Sequence, residues 1–353
     1  MQKCYTIILV MYMKKRIVVM FLLLCTLLTG CGKDTYGPVK PGETGDKDNN
    51  NEPVVKQELK IVDVNSKSRP VAVMINNLST ARPVQSGVMD AYIVYEIIVE
   101  GGITRYMAVY KDKDTAKIGT VRSSRDYYLD YALENDAIYV HFGWSPQAQE
   151  LIGKLGVNNI NGLYDDAFWR DNPMNLAYEH TAYTSMEKIM KVAKNKGYRL
   201  TSEKDLLLNY SVDEVSIENE ENSLKADNVS IRYSNAVTTS YKYNPTDKLY
   251  YRSVNGSVQK DYVTKKQYTA KNIIISYVDN GNISNDDKGR QELNNIGTGK
   301  GYYITDGCSI PITWSKTSRN EQTVYKKLNG EEIIVNDGNT FIQIAPKDSA
   351  KIS

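Results

Sequence analysis

The stretch Ala91-Tyr-Ile-Val-Tyr-Glu-Ile-Ile-Val-Glu-Gly-Gly-Ile-Thr-Arg-Tyr-Met-Ala-Val-Tyr110 decides how this chain folds. Two runs of β-branched and aromatic residues, Ala91 to Val99 and Ile103 to Tyr110, flank Glu100-Gly101-Gly102. Such runs suit strands, and the short Gly-bearing join reads as a hairpin. Upstream, Val71-Ala72-Val73-Met74-Ile75 is a compact apolar run that fits a buried strand. Downstream, Tyr127, Tyr128, Tyr131 and Ala132 recur at helical spacing within Ser124 to Glu134, and Ala137 to Phe142 returns as a strand. Ser145-Pro146 opens a second helix, with Ser as N-cap and Pro at the first helical position. Thr184-Ser185 opens a third over Met186 to Asn195, ended by Gly197. Residues 59–200 are therefore expected to form a mixed α/β domain.

An acidic, Asn-rich segment at 201–225 reads as a linker, and residues 226–347 change character. Tyr241-Lys242-Tyr243 and Lys248 to Val254 flank the turn Asn244-Pro245-Thr246-Asp247, and Asn255-Gly256 supplies another turn pair. Asn272 to Val278, Gly301 to Thr305, Ser309 to Trp314, Glu332 to Val335 and Thr340 to Ile344 are further strand candidates. The class expected is α+β: a mixed α/β domain followed by a mainly β domain.

The N-terminus gives an address. Lys14-Lys15-Arg16 precede the 12-residue apolar run Ile17 to Leu28, and Leu28-Thr29-Gly30-Cys31 follows. That order is a bacterial lipoprotein signal, and the run is short against the roughly 20 residues a spanning helix needs. Cleavage before Cys31 and lipidation of its thiol would discard residues 1–30 and hold the protein at the extracytoplasmic face of the cell membrane. Initiation at Met11 or Met13 would give the more typical signal. Residues 31–58, rich in Gly, Pro, Asp, Asn and Lys, read as a flexible tether reaching on the order of 30 Å.

Processing also changes the arithmetic. Residues 1–30 hold four basic and no acidic residues, so the formal charge of +2 becomes −2. A mildly acidic body lacks the basic face that nucleic-acid binding needs. Cys4 and Cys25 leave with the signal and Cys31 carries lipid, so Cys308 remains alone and no internal disulfide is available. Tyrosine outnumbers phenylalanine 27 to 4, which suits half-buried sheet faces or, less simply, polymer recognition.

Chemistry concentrates in Glu100-Gly-Gly-Ile-Thr-Arg105 and Gly119-Thr-Val-Arg122-Ser-Ser124-Arg125-Asp126. Arginines at a helix start, where free N–H groups already favour anions, suit phosphate or carboxylate. The candidate ligand-binding set is Arg82, Glu100, Arg105, Arg122, Ser124, Arg125, His141 and Ser145. The competing expectation pairs these arginines with Glu96, Glu100, Asp126 or Asp130. Catalytic candidates are Glu96, Glu100, Asp126, His141 and His180. Two histidines and one thiol build no zinc site. No cofactor is expected, and a divalent cation only if the protein is an enzyme. Gly297-Thr-Gly-Lys-Gly301 lacks the spacing and the Ser/Thr of a P-loop. Asp306-Gly307-Cys308 has the Gly-Cys of L,D-transpeptidases without a nearby His motif, so a strand cysteine is expected.

The order Arg69-Pro-Val-Ala-Val-Met-Ile-Asn-Asn77, Ala81-Arg-Pro83, Gln85-Ser-Gly87, the Glu100–Arg105 hairpin, Arg122-Ser-Ser-Arg125 and Tyr139-Val-His141 resembles the YerB-like lipoprotein family of Gram-positive bacteria, a two-domain family of unknown function. The likeness continues through Ser145-Pro-Gln-Ala148, Phe168-Trp-Arg-Asp171, His180-Thr-Ala-Tyr-Thr-Ser185, Thr313-Trp-Ser-Lys316 and Asp337-Gly-Asn-Thr340. Thr120 and Thr181 stand where that pattern has proline and asparagine. The resemblance implies two family domains after the tether and no established activity. The function expected is an envelope lipoprotein binding an anionic wall component or a wall-synthesis protein. The alternatives are an enzyme on phosphate-bearing wall precursors, by analogy with the arginine-rich sites of LytR-CpsA-Psr phosphotransferases, and a structural scaffold.

Overall fold

The computed structural model describes residues 58–353. Cys31, the signal and most of the tether lie outside the described residues. The hairpin is present as β1 Val71–Asn76, β2 Ile93–Ile98 and β3 Thr104–Tyr110, with β3 antiparallel to both neighbours. Its join is a single turn, Glu100–Gly102, in which Gly101 (φ 68°) and Gly102 (φ 69°) adopt the left-handed conformation that glycine reaches without strain.

These strands lie inside one eleven-stranded mixed sheet. On one side β1 runs parallel to Ile138–His141, which runs parallel to Asn159–Asn161. On the other, β2 runs parallel to Thr340–Ala345, in the register Ile93↔Thr340 to Ile97↔Ile344. That strand in turn lies parallel to Asn272–Tyr277, and Gly297–Thr305 and Cys308–Lys316 extend the sheet. The two sequence regions thus share one sheet, with a strand from the last twenty residues seated at its middle. The segment 201–225 is built in as well: Asn209–Ser211 pairs with Ile334–Asn336, and Leu224–Lys225 with the 308–316 strand.

Both faces of the sheet are covered, which is why β1 to β3 read as nearly continuous apolar runs. Val71, Val73 and Ile75 face a core shared with the third helix, Met186–Asn195, and with the second sheet, made of strands between 228 and 270 and of Ala350–Ile352. Ala72 and Met74 face the first two helices, Asp126–Glu134 and Pro146–Lys154. Most of the largest buried side chains are tyrosines, and most of their hydroxyls find partners, that of Tyr268 being an exception. Tyr95 donates to Glu134 at 2.6 Å, Tyr127 to the Ile98 carbonyl at 2.8 Å, and Tyr128 to that of Arg105 at 2.9 Å. At these three positions tyrosine supplies core volume with a satisfied polar tip.

Ser145 and Ser185 cap their helices, accepting from the N–H of Ala148 at 3.2 Å and of Lys188 at 3.3 Å. Cys308 is buried at a strand start after the turn Asp306-Gly307, and burial pushes its thiol up.

Candidate functional site

β1, β2 and the strands 138–141 and 159–161 point the same way, so their carboxyl ends share one edge of the sheet. Ligands of open α/β sheets gather at such edges, where neighbouring strands splay. Here β1 and the 138–141 strand part after Val73↔Val140, and residues 120–124 wedge between them. Asn76 N–H donates to the Thr120 carbonyl at 2.9 Å, Arg122 N–H to Met74 at 3.0 Å, and Phe142 N–H to Arg122 at 3.0 Å.

The wedge brings Arg105, Arg122 and Arg125 together, and their fates differ. Arg125 forms a two-pronged pair with Glu100, Nη2 lying 2.9 Å from Oε2. Arg105 is buried, donates to the Ser123 carbonyl at 2.7 Å and lies 3.7 Å from Glu100. Burial, then the like charge of Arg125, pulls the Arg105 guanidinium down to about 10. Glu100 is held below the usual carboxylate range: burial pushes it up, but its bond to Arg125 and both arginine charges outweigh that. The pairing alternative therefore describes Arg105 and Arg125.

Arg122 is different. Nη1 donates to the Glu179 carbonyl at 3.2 Å, while Nε is buried without a partner. No carboxylate forms an ion pair with it among the described residues. Beside it, His180 Nδ1 accepts from the Asn76 side-chain amide at 2.9 Å, leaving the ring proton on Nε2. Burial and the Arg122 charge lower the His180 pKa, so the ring is neutral at pH 7.

Most of the remaining candidates have structural partners. Glu96 is fully buried in an ion pair with Arg252, 2.7 Å, and accepts from Asn77, Thr104 and Thr239. Ser124 accepts from Tyr139 at 2.9 Å, and Ser145 caps a helix. Arg82 is half-buried and donates to the Asn77 carbonyl at 3.2 Å. Asp126 is half-buried at the start of the first helix, its carboxyl pushed up by burial. His141 is buried, with Nδ1 2.8 Å from the Gly143 carbonyl and Nε2 3.1 Å from Asn159 Oδ1. No two of the five catalytic candidates share a hydrogen bond. Among the described residues, no group of three or more His, Cys, Asp or Glu could hold a metal ion.

Burial lowers the pKa of His141 as well. A histidine less basic when folded than unfolded stabilises the fold above about pH 6.5 and loses that contribution as pH falls through and below this value. Melting temperature is expected to decline on acidification from about pH 7 to 5, and His141→Asn to flatten that limb. A pH series of thermal melts on both proteins checks it.

Sequence reasoning missed the surface around Arg122. The Arg170 guanidinium stacks over Tyr178, 3.8 Å from the ring centroid, and over Phe142 at 4.5 Å, and donates to the Tyr178 carbonyl at 2.6 Å. Tyr164 (73 % exposed) and Tyr178 (71 %) are the most exposed large apolar residues among those described, and Leu163 and Met174 are half exposed. Trp144 bridges Tyr164 and His141 at 5.8 and 5.6 Å. An exposed apolar patch rimmed by cations is a feature of binding surfaces. The only signal in sequence was Leu163-Tyr164, two large apolar residues in a loop between polar ones.

Comparison with known proteins agrees with this architecture. Residues 58–199 match the family model "Protein of unknown function (DUF3048) N-terminal domain", and residues 229–342 match the corresponding C-terminal domain. "Putative lipoprotein YerB" of Bacillus subtilis (strain 168) is 33% identical over 310 residues, covering 85% of this chain and 87% of that protein. The crystal structure of the Bacillus subtilis YerB protein matches with a TM-score of 0.70 at 33% identity, over 81% of this chain and 94% of that one. Among the described residues no helix is long and apolar enough to cross a membrane. With both halves of the family present in order across the shared sheet, the chain belongs to the DUF3048 family.

Proposed function

We propose that the protein is a lipid-anchored, extracytoplasmic binding protein that holds an anionic, sugar-bearing polymer of the cell envelope on its Arg122 face. The anchor is supported by the Leu28–Cys31 signal and by the lipoprotein name of the Bacillus relative. Binding is carried by one observation: Arg122 is the arginine of the wedge with no carboxylate partner, and its buried Nε lacks an acceptor. Buried donors are rarely left so, and a phosphate or carboxylate oxygen is the acceptor an arginine fork fits best. Tyr164 and Tyr178 offer exposed rings for sugars beside that charge, and Arg170 adds a second cation.

The probe is a purified glycerol-phosphate polymer bearing sugar substituents, titrated calorimetrically into the full chain. Arg122→Gln is expected to weaken binding about tenfold to a hundredfold, the worth of one charge-assisted hydrogen bond, with little change in melting temperature. Arg125→Gln should behave oppositely, lowering stability because Glu100 loses its main partner. Unchanged polymer affinity in Arg122→Gln would remove the basis for this reading.

A further inference from the structure

The Gly297-Thr298-Gly299-Lys300-Gly301 run, which has no use as a phosphate loop, begins the nine-residue strand Gly297–Thr305. The second half of that strand is paired on both sides; the first half is not. The 272–277 strand accompanies it only as far as Ser276↔Gly301, whereas the 308–316 strand runs beside it to Gly297↔Lys316. The turn Asp306-Gly307 closes on the pair Thr305↔Cys308. A two-residue turn makes its closing pair exchange both backbone bonds, and bonded pairs then alternate along the ladder. By that alternation Thr298 and Lys300 aim their N–H and C=O groups at the side where the neighbouring strand ends, its last residue Tyr277 standing opposite Lys300. The non-bonded pair Ser276↔Gly301 is closed by the Tyr277 N–H on the Lys300 carbonyl, so that carbonyl is taken; the Lys300 N–H and both backbone groups of Thr298 have no backbone partner among the described residues.

A notch of 510 Å³ lies along this open edge, with Tyr277, Tyr302 and Trp314 among its walls. The glycines there are demanded by the sheet itself. A Cβ on Gly299 would lie 2.5 Å from the Trp314 ring, and one on Gly301 only 1.8 Å from the Ile275 carbonyl oxygen. Tyr277 and Tyr302 meet edge to face, centroids 6.3 Å apart, and form a partly exposed aromatic wall. Lys300, Lys347, Asp279 and Asp348 also line the notch, and none of them joins an ion pair among the described residues.

We propose that the notch takes up an extended peptide segment of a partner protein, added to the sheet as a strand along Thr298–Lys300. A peptide backbone supplies donors and acceptors at the spacing this edge presents, which is the basis of recognition by strand addition. The two lysines and two aspartates call for charged side chains of both signs, and the aromatic wall for apolar ones between them. This site is separate from the Arg122 face and does not depend on it.

The probe is the synthetic peptide acetyl-Lys-Val-Glu-Val-Lys-Val-Glu-amide, added to the full chain, with the same peptide N-methylated at alternate amides as comparison. Hydrogen exchange over residues 297–301 is expected to slow with the unmethylated peptide. N-methylation on the edge-facing side should weaken binding about tenfold, since each lost backbone bond is a several-fold effect. Lys300→Pro, which deletes one outward N–H and no ladder bond, should do the same. Should that variant fail to fold, Lys300→Glu with Lys347→Glu alters the charge alone and is expected to weaken the probe severalfold. Equal affinity for both methylation states, or unchanged exchange at 297–301 on saturation, would overturn the proposal.

Discussion

Arg252→Met is expected to cost about 3–5 kcal/mol of folding stability, because it leaves the Glu96 carboxylate charged, buried and without its ion-pair partner. The pair is 2.7 Å long and both side chains are fully excluded from solvent. Arg252 also donates to Gln259 at 2.8 Å, to Tyr106 at 2.9 Å and to Tyr241. Burial works against the guanidinium charge, but Glu96 and the surrounding tyrosine oxygens outweigh it and raise its pKa. Glu96 lies on β2 and Arg252 on the strand Leu249–Val254, so the pair ties the main sheet to the second. Urea unfolding measures the loss. Replacing both residues together, Glu96→Leu with Arg252→Met, should recover much of it, since a desolvated pair exchanged for apolar volume is often near neutral. A single variant no less stable than the wild type would show the network to be dispensable.

Glu134→Ala is expected to cost a similar amount for the same reason at a second seam. Glu134 closes the first helix and accepts from Tyr95 at 2.6 Å, from Lys316 at 2.8 Å and from the N–H and hydroxyl of Thr323 at 3.0 and 2.6 Å. Truncation strands the Lys316 ammonium, itself fully buried. Adding Lys316→Met should return part of the stability, and a double-mutant cycle gives the coupling. Since both seams join the two sequence regions, which also share the main sheet, wild type and variants should each unfold in a single transition by circular dichroism and by tryptophan fluorescence. Two separate transitions would mean that the halves fold independently.

What could be read from the residues, and what could not, follows from the range of each signal. Local patterns named the strands and helices well: Ser145-Pro146, Ser185 and the two apolar runs about Gly101-Gly102 each declare an element within a few residues. Partners are non-local. Nothing in Thr340-Phe-Ile-Gln-Ile indicates that it lies beside β2, because an apolar run fixes a buried strand but not its neighbour. Glu96 reads in sequence as an acid close to the arginines of the 105–125 region, whereas the arginine it pairs with is 156 residues away. For Arg105 and Arg125 the sequence allows ligand or partner alike, and Glu100 between them in space supplies the partner. The strand at 297–305 starts four residues before the run that reads as a strand, since its glycines mimic a loop. They are tolerated because Trp314 covers Gly299 from the adjoining strand.

The proposed function rests on Arg122 meeting an anion, and the side-chain Nε–H resonances of the arginines report that contact residue by residue. Titration of the full chain with a soluble glycerol-phosphate oligomer should move the Arg122 signal saturably while those of Arg105 and Arg125, held by Glu100 and backbone carbonyls, stay in place. An unmoved Arg122 resonance at saturating oligomer would contradict the account.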